Sequence, residues 1–366
     1  MRHCDSAQTG INRYERNFAG KLINAKITGN MVKVDVYKKA SLTFLLIFTA
    51  AFPFQLSCSE DYSDKTGTVT LGTLSLETSS LIFIAENNNY FAQNGLNMEY
   101  KYYDTGLGTL NALLNGEVDV AAPVGEYAIV GKIFGKEPIK TIGAIDKVDY
   151  QTLVARKDHG IENISDLKGK TLGVIQKTQE EFYLTRFLEL NGIKVDEVTL
   201  ANIPLSECID AISNGEVDAI VLVPPYIDNV KNSLANDIVS WPVQANQMTQ
   251  QLMVCKGEFI EQQPELINRL LKSLAKAQDY LVRNPDSAKT IVKERLNLTE
   301  EDVARIWSQN QYGLSLDESL IVAMEDEARW MINNGLTDVK AMPDFLDYVY
   351  EDALIRIKPE AVNVIR

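Results

Sequence analysis

The stretch Asn115-Gly116-Glu117-Val118-Asp119-Val120 recurs further along the chain as Asn214-Gly215-Glu216-Val217-Asp218-Ala219. Each copy follows an amphipathic run and precedes a short apolar segment that reaches a proline. Glycine just past a helix end supplies the left-handed residue that closes the helix, and β-branched residues near it favour a strand. We interpret both copies as helix–strand turns of a duplicated architecture, in which Asp119 and Asp218 fix the turn.

The segments around the two copies follow one order: strand, helix, strand, helix, strand. The first set is 68–74, 81–93, 96–103, a helix from 109, and 120–123; the second is 171–175, 180–190, 195–200, 207–213 and 219–224. This order is typical of an open, mostly parallel sheet covered by helices. We therefore predict an α/β chain of two lobes. The extended segments 150–156 and 248–256 are predicted to cross between the lobes as a hinge.

Composition excludes several classes of function. The 366 residues are 45% apolar and 23% charged, which are globular values sufficient for two domains. The net charge is −14, and no basic stripe is visible, so nucleic acid is not an expected partner. Only His3 and His159 are present, which argues against a histidine-ligated metal site or a Ser/His/Asp hydrolase. We expect no metal and no cofactor. Cys208 and Cys255 are expected to be buried thiols, with a disulfide as the alternative.

The N-terminal region is typical of an export signal rather than of a folded domain. The segment 41–54 is nearly all apolar and follows Lys38-Lys39, and Ser57-Cys58 comes soon after it. This layout resembles a bacterial lipoprotein signal, which implies lipidation of Cys58; an uncleaved anchor is the alternative. We predict that 1–30 is not translated in vivo and that Met31 is the start. The signal peptide is then 31–57 and a linker 58–66.

The segment Ile164-Ser165-Asp166-Leu167-Lys168-Gly169-Lys170-Thr171-Leu172-Gly173-Val174 resembles the entry to the second lobe of solute-binding proteins of ABC importers. The resemblance is to the group that binds sulfonates, taurine, nitrate or thiamine-pyrimidine precursors. Three further features fit this group. They are the two repeated phrases, the segment Pro224-Pro225-Tyr226, and a helical tail with Asn284-Pro285 and Pro343-Asp344.

The resemblance implies a two-lobed type II periplasmic-binding-protein fold that closes on a ligand by hinge bending. It implies lobe 1 at 67–152, lobe 2 at 153–250, and a second crossing with C-terminal helices returning to lobe 1 at 251–366. The expected partners are a small-molecule ligand, an ABC permease with its ATPase, and the membrane through Cys58. The protein is expected to be a monomer, periplasmic or at the cell surface.

Ligands of open α/β sheets bind beyond the carboxyl ends of the strands, where helix N-termini present unpaired N–H groups. The residues at these positions are the predicted ligand contacts: Leu76, Glu77, Thr78, Thr105, Gly106, Thr109, Val124, Gly125, Glu126, Tyr150, Gln151, Lys177, Thr178, Gln179, Pro225 and Tyr226. Simple N-capping is the alternative for Thr78 and Thr178. A solvated rim charge is the alternative for Glu126, and an ion pair with Glu180 is the alternative for Lys177.

The charges in these loops bear on the ligand class. Glu77, Asp104, Glu126 and Glu180 are accompanied by a single lysine and no arginine. Carboxylates and tyrosine rings favour a neutral or cationic heteroaromatic ligand, such as a thiamine-pyrimidine precursor. An organosulfonate, taurine or nitrate stays open as the alternative, because helix N-termini can bind anions. A sensor module for a membrane kinase is a further alternative. An enzyme is not expected, since no nucleophile–base pair is visible.

Overall fold

The computed structural model describes residues 66–365 except 225, 236 and 246. The predicted segments 1–30 and 31–57 and the predicted lipidation site Cys58 lie outside the described residues. Among the residues that are described, no helix is both long enough and apolar enough to cross a membrane.

Strands and helices alternate along most of this part of the chain. The strands are β1 (Gly67–Leu74), β2 (Leu96–Tyr103), β3 (Val120–Gly125), β4 (Ile139–Val148), β5 (Thr152–Arg156), β6 (Thr171–Val174), β7 (Thr199–Asn202), β8 (Ala219–Leu222), β9 (Ile238–Pro242) and β10 (Thr249–Lys256). The helices are α1 (Ser80–Asn87), α2 (Tyr90–Gln93), α3 (Gly106–Leu114), α4 (Glu126–Phe134), α5 (Gln179–Leu190), α6 (Cys208–Ser213), α7 (Tyr226–Ser233), α8 (Gly257–Gln262), α9 (Pro264–Arg283), α10 (Pro285–Leu296), α11 (Glu300–Gln309), α12 (Glu318–Asn333) and α13 (Asp352–Ile357).

The strands form two five-stranded sheets with equivalent orders, β2-β1-β3-β10-β4 and β7-β6-β8-β5-β9. In each sheet the fourth strand is antiparallel to both neighbours, and the first three run parallel. The antiparallel strand of each sheet follows the chain's arrival from the other sheet. We call the sheet of β1 with its helices the first lobe and the sheet of β6 with its helices the second lobe. This architecture confirms the predicted two-lobed α/β fold.

The repeated phrase closes a helix and starts a strand in both lobes. Gly116 and Gly215 have φ angles of +76° and +77°, the left-handed conformation in which a Cβ is unfavourable. Asp119 Oδ2 accepts a hydrogen bond of 2.8 Å from Thr70 N, and Asp218 Oδ2 accepts one of 2.8 Å from Thr171 N. Each aspartate therefore ties the new strand to the neighbouring strand of its sheet, which confirms the structural role predicted for it.

Two predicted elements were too long. The helix expected over 81–93 is divided, because Asn89 takes a φ of +56° between α1 and α2. The strand expected from residue 195 begins only at Thr199. A single 3-10 turn precedes it, and Glu197 Oε2 accepts a hydrogen bond of 2.9 Å from Lys194 N to close that turn. In both places local side-chain and backbone geometry overrides the hydrophobic pattern.

The C-terminal elements return to the first lobe. The helices α9, α10 and α13 pack around α1 and β4, and α12 packs on α4. Segments beyond α11 add isolated bridges along β4, Asn310 to Val148 and Ser315 to Ala144. Cys208 and Cys255 are buried free thiols, so the disulfide alternative is excluded.

Gln244 joins the two segments that cross between the lobes. The chain leaves the first sheet after Val148 and returns to it at Thr249, so the predicted crossing segments 150–156 and 248–256 are largely the strands β5 and β10, and the crossings lie just before them. The buried Gln244 Oε1 accepts hydrogen bonds of 2.8 Å from the backbone N–H groups of Tyr150 and Gln151. Its Nε2 donates to the carbonyl oxygen of Val148 at 2.9 Å. One side chain thus fixes both crossings together, while the lobe boundaries at 152/153 and 250/251 stay predictions.

Candidate ligand-binding cleft

A cavity of about 60 Å³ lies between the lobes, at the carboxyl ends of the strands of both sheets. The first lobe and the first crossing contribute Leu74, Leu76, Thr78, Asp104, Thr105, Gly106, Leu107, Gly125, Ala128, Tyr150 and Gln251; the second lobe contributes Ile175, Thr178, Gln179, Glu180, Leu205 and Val223. This is the position at which ligands bind in open α/β sheets.

Helix N-termini converge on this cavity. Gly125 precedes α4, Thr105 precedes α3 and Thr178 precedes α5, each with extended backbone at the N-cap position. Thr105 Oγ1 accepts a hydrogen bond of 3.0 Å from Gly108 N, so its side chain caps α3. Thr178 Oγ1 instead donates to the carbonyl oxygen of Ile175 at 2.6 Å. The helix termini can present backbone N–H groups and partial positive charge to a bound ligand.

Half of the predicted contacts line the cavity: Leu76, Thr78, Thr105, Gly106, Gly125, Tyr150, Thr178 and Gln179. The other described ones do not line it: Glu77, Thr109, Val124, Glu126, Gln151, Lys177 and Tyr226. Pro225 is outside the described residues. Lining residues absent from the prediction are Leu74, Asp104, Leu107, Ala128, Ile175, Glu180, Leu205, Val223 and Gln251. Among these, Asp104 and Glu180 were part of the set of loop charges from which the ligand class was predicted.

Glu126 points its carboxyl group at the backbone rather than into the cavity. Glu126 Oε2 accepts a hydrogen bond of 2.9 Å from Gln250 N on β10. Burial raises the pKa of Glu126 to about 8, and the nearby Lys147 opposes this rise. The second carboxyl of this region, Glu327 on α12, is also buried, and its pKa is raised by burial and by Glu126. The two groups are therefore part of the packing between α4, β10 and α12.

Lys177 also lies off the cavity. Its backbone has a φ of +63°, and its N–H donates a hydrogen bond of 2.8 Å to Glu181 Oε2. The predicted pair with Glu180 is not formed, and Glu180 Oε2 lies against the Thr178 hydroxyl instead. The residue is held by α5 and not by the cavity.

Tyr150, which lines the cavity, belongs to a cluster with Glu77, Asp146 and Tyr312. Burial raises the pKa of Glu77 to about 7, and the nearby Tyr150 hydroxyl opposes this rise. Burial, and then the neighbouring Glu77, raise the pKa of Asp146 well above its usual range. Within the described part of the chain, Glu77 Oε1 and both Asp146 carboxyl oxygens have no hydrogen-bond partner. Buried carboxyls without partners favour the protonated form, which is the direction in which the pKa values of Glu77 and Asp146 are shifted.

The charged side chains of the cavity wall are acidic. Asp104 and Glu180 line it, and no lysine or arginine does so among the described residues. Burial raises the pKa of Glu180, and the adjacent Thr178 hydroxyl opposes this. The other polar side chains of the wall carry hydroxyl or carboxamide groups: Thr78, Thr105, Tyr150, Thr178, Gln179 and Gln251. Such a wall can accept hydrogen bonds from a ligand and balance a positive charge on it.

The two lobes also meet outside the cavity. On one side, Phe182 and Tyr183 of α5 are fully buried, and Phe182 contacts the Tyr127 and Trp330 rings of the first lobe at centroid distances of 5.9 and 5.6 Å. The Arg186–Asp326 ion pair lies beside these rings. On the other side, Arg305 of α11 pairs with Asp228 of α7. Aromatic packing and ion pairs thus hold the lobes together on both flanks of the cavity.

The sequence of the chain is similar to those of known binding proteins. A family model described as NMT1/THI5 like matches residues 78–288. The taurine-binding periplasmic protein of Escherichia coli strain K12 is 26% identical over 210 residues, which cover 56% of this chain and 63% of that protein. The formylaminopyrimidine-binding protein of Halalkalibacterium halodurans is 21% identical over 275 residues, which cover 73% of this chain and 80% of that protein.

Solved structures share the fold. The alkanesulfonate-binding protein SsuA from Xanthomonas axonopodis pv. citri, bound to MOPS, superposes with a TM-score of 0.67. The alignment covers 78% of this chain and 99% of that one at 15% sequence identity. At this level of identity the likeness concerns the fold, and it agrees with the two sheets and the cleft between them.

Proposed function

Because the chain belongs to the NMT1/THI5-like family, we propose that its cleft captures an aminopyrimidine of the thiamine-precursor type and delivers it to a permease. The role of the protein in transport does not depend on which ligand it binds. The protein is an extracytoplasmic solute-binding component of the ABC-importer type and not an enzyme, as the sequence predicted.

The acidic cavity wall is the observation that carries the proposed ligand class. Asp104 and Glu180 line the cavity, and no cationic side chain does so within the described residues. An aminopyrimidine donates hydrogen bonds through its amino group and can be protonated on its ring, so it matches carboxyl acceptors. Tyr150 offers an aromatic ring against which a planar heterocycle can stack. The formylaminopyrimidine-binding relative is consistent with this choice.

Taurine is the second candidate, and the helix N-termini favour it. A taurine molecule carries an ammonium group that Asp104 or Glu180 could bind, and a sulfonate that the N-termini of α3 and α5 could bind. Simple anions such as methanesulfonate and nitrate lack the ammonium group. The carboxyl groups would therefore repel their negative charge, with no attraction to an ammonium group to offset this. The taurine-binding relative supports keeping this candidate.

A thermal-shift and calorimetric screen tests the ligand class. We expect stabilisation by hydroxymethyl aminopyrimidine and none by methanesulfonate or nitrate. Replacing the carboxyl by Glu180→Gln should weaken aminopyrimidine binding by about tenfold, because hydrogen bonds to charged groups are the stronger ones. The exposed Glu99→Gln on β2 is the control and should leave binding unchanged. Stabilisation by taurine alone would reverse the order of the two candidates.

Attachment to the membrane is part of the proposal. Ser57-Cys58 after an apolar segment is the pattern that supports lipidation of Cys58. In cells given a labelled fatty acid, the wild-type protein should take up label and sediment with membranes, whereas Cys58→Ser should do neither. Label retained by the Cys58→Ser variant would contradict lipidation at this residue. If deletion of a neighbouring permease gene abolishes uptake of the solute, the result would favour import over the kinase-sensor alternative.

A further inference from the structure

Gly125 and Gln179 meet across the cleft. Gly125 ends β3 in the first lobe, and Gln179 is the first residue of α5 in the second lobe. A Cβ on Gly125 would lie 2.7 Å from Gln179 Cδ, 3.1 Å from its Nε2 and closer still to its Oε1. Real Cβ atoms essentially never approach other atoms closer than 3.0 Å. The absence of a side chain at residue 125 is therefore what lets the Gln179 carboxamide lie against the first lobe.

Glycine is not needed at residue 125 for backbone reasons. Its φ and ψ angles are −67° and 146°, which an alanine adopts without strain. A Cβ at this position would instead displace the Gln179 carboxamide, the flexible end of that side chain. Gly125 is also held in place, because it pairs with Gln251 of β10 in the first sheet.

The first-lobe side of this contact is fixed. A Cβ on Gly106 would lie 2.9 Å from the carbonyl oxygen of Pro123 and 3.0 Å from Val124 Cα, so the start of α3 packs directly on the end of β3. Since backbone contacts leave β3 little freedom, the Gln179 side chain is the adjustable part. Both Gly125 and Gln179 line the cavity of about 60 Å³. The length of the residue-179 side chain then sets how much space remains when the lobes are closed.

We propose that Gln179 is a specificity-determining residue that limits the size of the bound solute, and that Gly125 is the surface against which it closes. This inference rests on the proposed function only in taking the cavity as the ligand site. It assigns to the pair a role in closure and size selection, beyond a simple ligand contact.

A double-mutant cycle tests the contact without any ligand. Gly125→Ala should raise hydrogen–deuterium exchange over residues 179–183 by at least about threefold, and it should have no such effect in a Gln179→Ala background. The effects of substitutions at independent sites combine to within roughly twofold, so a coupling of about threefold is measurable. Gly131→Ala on α4 is the matched control, because a Cβ there meets nothing within 4 Å. Equal effects of Gly125→Ala in both backgrounds would overturn the contact.

The size limit is tested with two homologous series. The probes are hydroxymethyl aminopyrimidines with a methyl or a propyl substituent, and taurine with its homologue longer by one methylene. In whichever series binds, Gln179→Ala should shift the affinity ratio toward the larger member by about tenfold, the usual scale for added methylenes in a pocket. An unchanged ratio would overturn size selection by Gln179. Binding of the sulfonate series alone would contradict the proposed ligand class and leave the ratio test intact.

Discussion

At the scale of single residues, Glu77 gives the protein an unusual pH dependence. Burial raises the pKa of Glu77 from 4.5 to about 7, against the opposing backbone hydrogen bond, the nearby Tyr150 hydroxyl and the charge of Arg305. Between these two pH values the unfolded chain has lost the proton that the folded protein still holds. The free energy of unfolding therefore falls as the pH rises from 4.5 to 7, by up to about 3 kcal/mol.

Glu77→Gln should remove most of this pH dependence. A neutral carboxamide does not ionise, so the variant should lose less stability than the wild type between pH 5 and pH 8. Urea unfolding at the two pH values measures the difference, and the exposed Glu99→Gln serves as the control. A pH dependence unchanged in Glu77→Gln would mean that Asp146, whose pKa is also raised, carries the effect instead.

At the scale of elements, the crossings depend on one buried side chain. Gln244→Leu keeps the volume but leaves the N–H groups of Tyr150 and Gln151 without their acceptor. Buried donors without partners are costly, so we expect a loss of about 2 to 4 kcal/mol in the free energy of unfolding. Urea unfolding measures this loss. Gln93→Leu on the exposed face of α2 should change stability by less than about 0.5 kcal/mol. A similar small change in Gln244→Leu would show that the crossings are held by other contacts.

The ion pair between α5 and α12 should act on closure more than on stability. Arg186 and Asp326 are each more than a third exposed, and exposed pairs contribute about 0.2–1 kcal/mol. Asp326→Asn should therefore weaken ligand binding by about two- to fivefold at low salt and by much less at high salt. Calorimetry at two salt concentrations measures the change. The exposed Asp338→Asn is the control, and a loss independent of salt would contradict an electrostatic origin.

At the scale of the whole molecule, the aromatic contact between the lobes offers a reporter of closure. Trp330 lies 5.6 Å from the Phe182 ring across the interface. Hinge opening would separate these rings and expose them to water. We expect a saturating ligand to reduce the radius of gyration in solution scattering and to change Trp330 fluorescence, a change that Trp330→Phe should abolish. An unchanged radius with a saturating tight ligand would contradict hinge closure.

The sequence predicted the repeated half-lobes because their signals are local. Gly116 and Gly215 mark helix ends, and Asp119 and Asp218 follow them at a fixed distance. The position of the cleft followed from the strand ends. What the sequence could not provide depends on contacts between distant segments. Gln244 reads as an ordinary polar residue, and Leu205 and Gln251 reach the cavity only because their lobes face each other.

Glu126 shows the same limit from the other side. A carboxyl directly after a strand was a reasonable ligand contact. Its direction is decided by Gln250 N, more than a hundred residues later in the chain. Local patterns fix which residues reach the end of a strand, and long-range pairing fixes where their side chains point.

The position of β10 in the first sheet has a consequence for the order in which the protein can be made. The strand lies between β3 and β4, although it follows the entire second lobe in the chain. During synthesis the first lobe therefore has an open gap at its centre until residue 256 has emerged. A fragment that ends at residue 248 should fail to show cooperative unfolding, because both neighbours of β10 would present unpaired edges. The first-lobe sheet can therefore be completed only after the whole second lobe has been made.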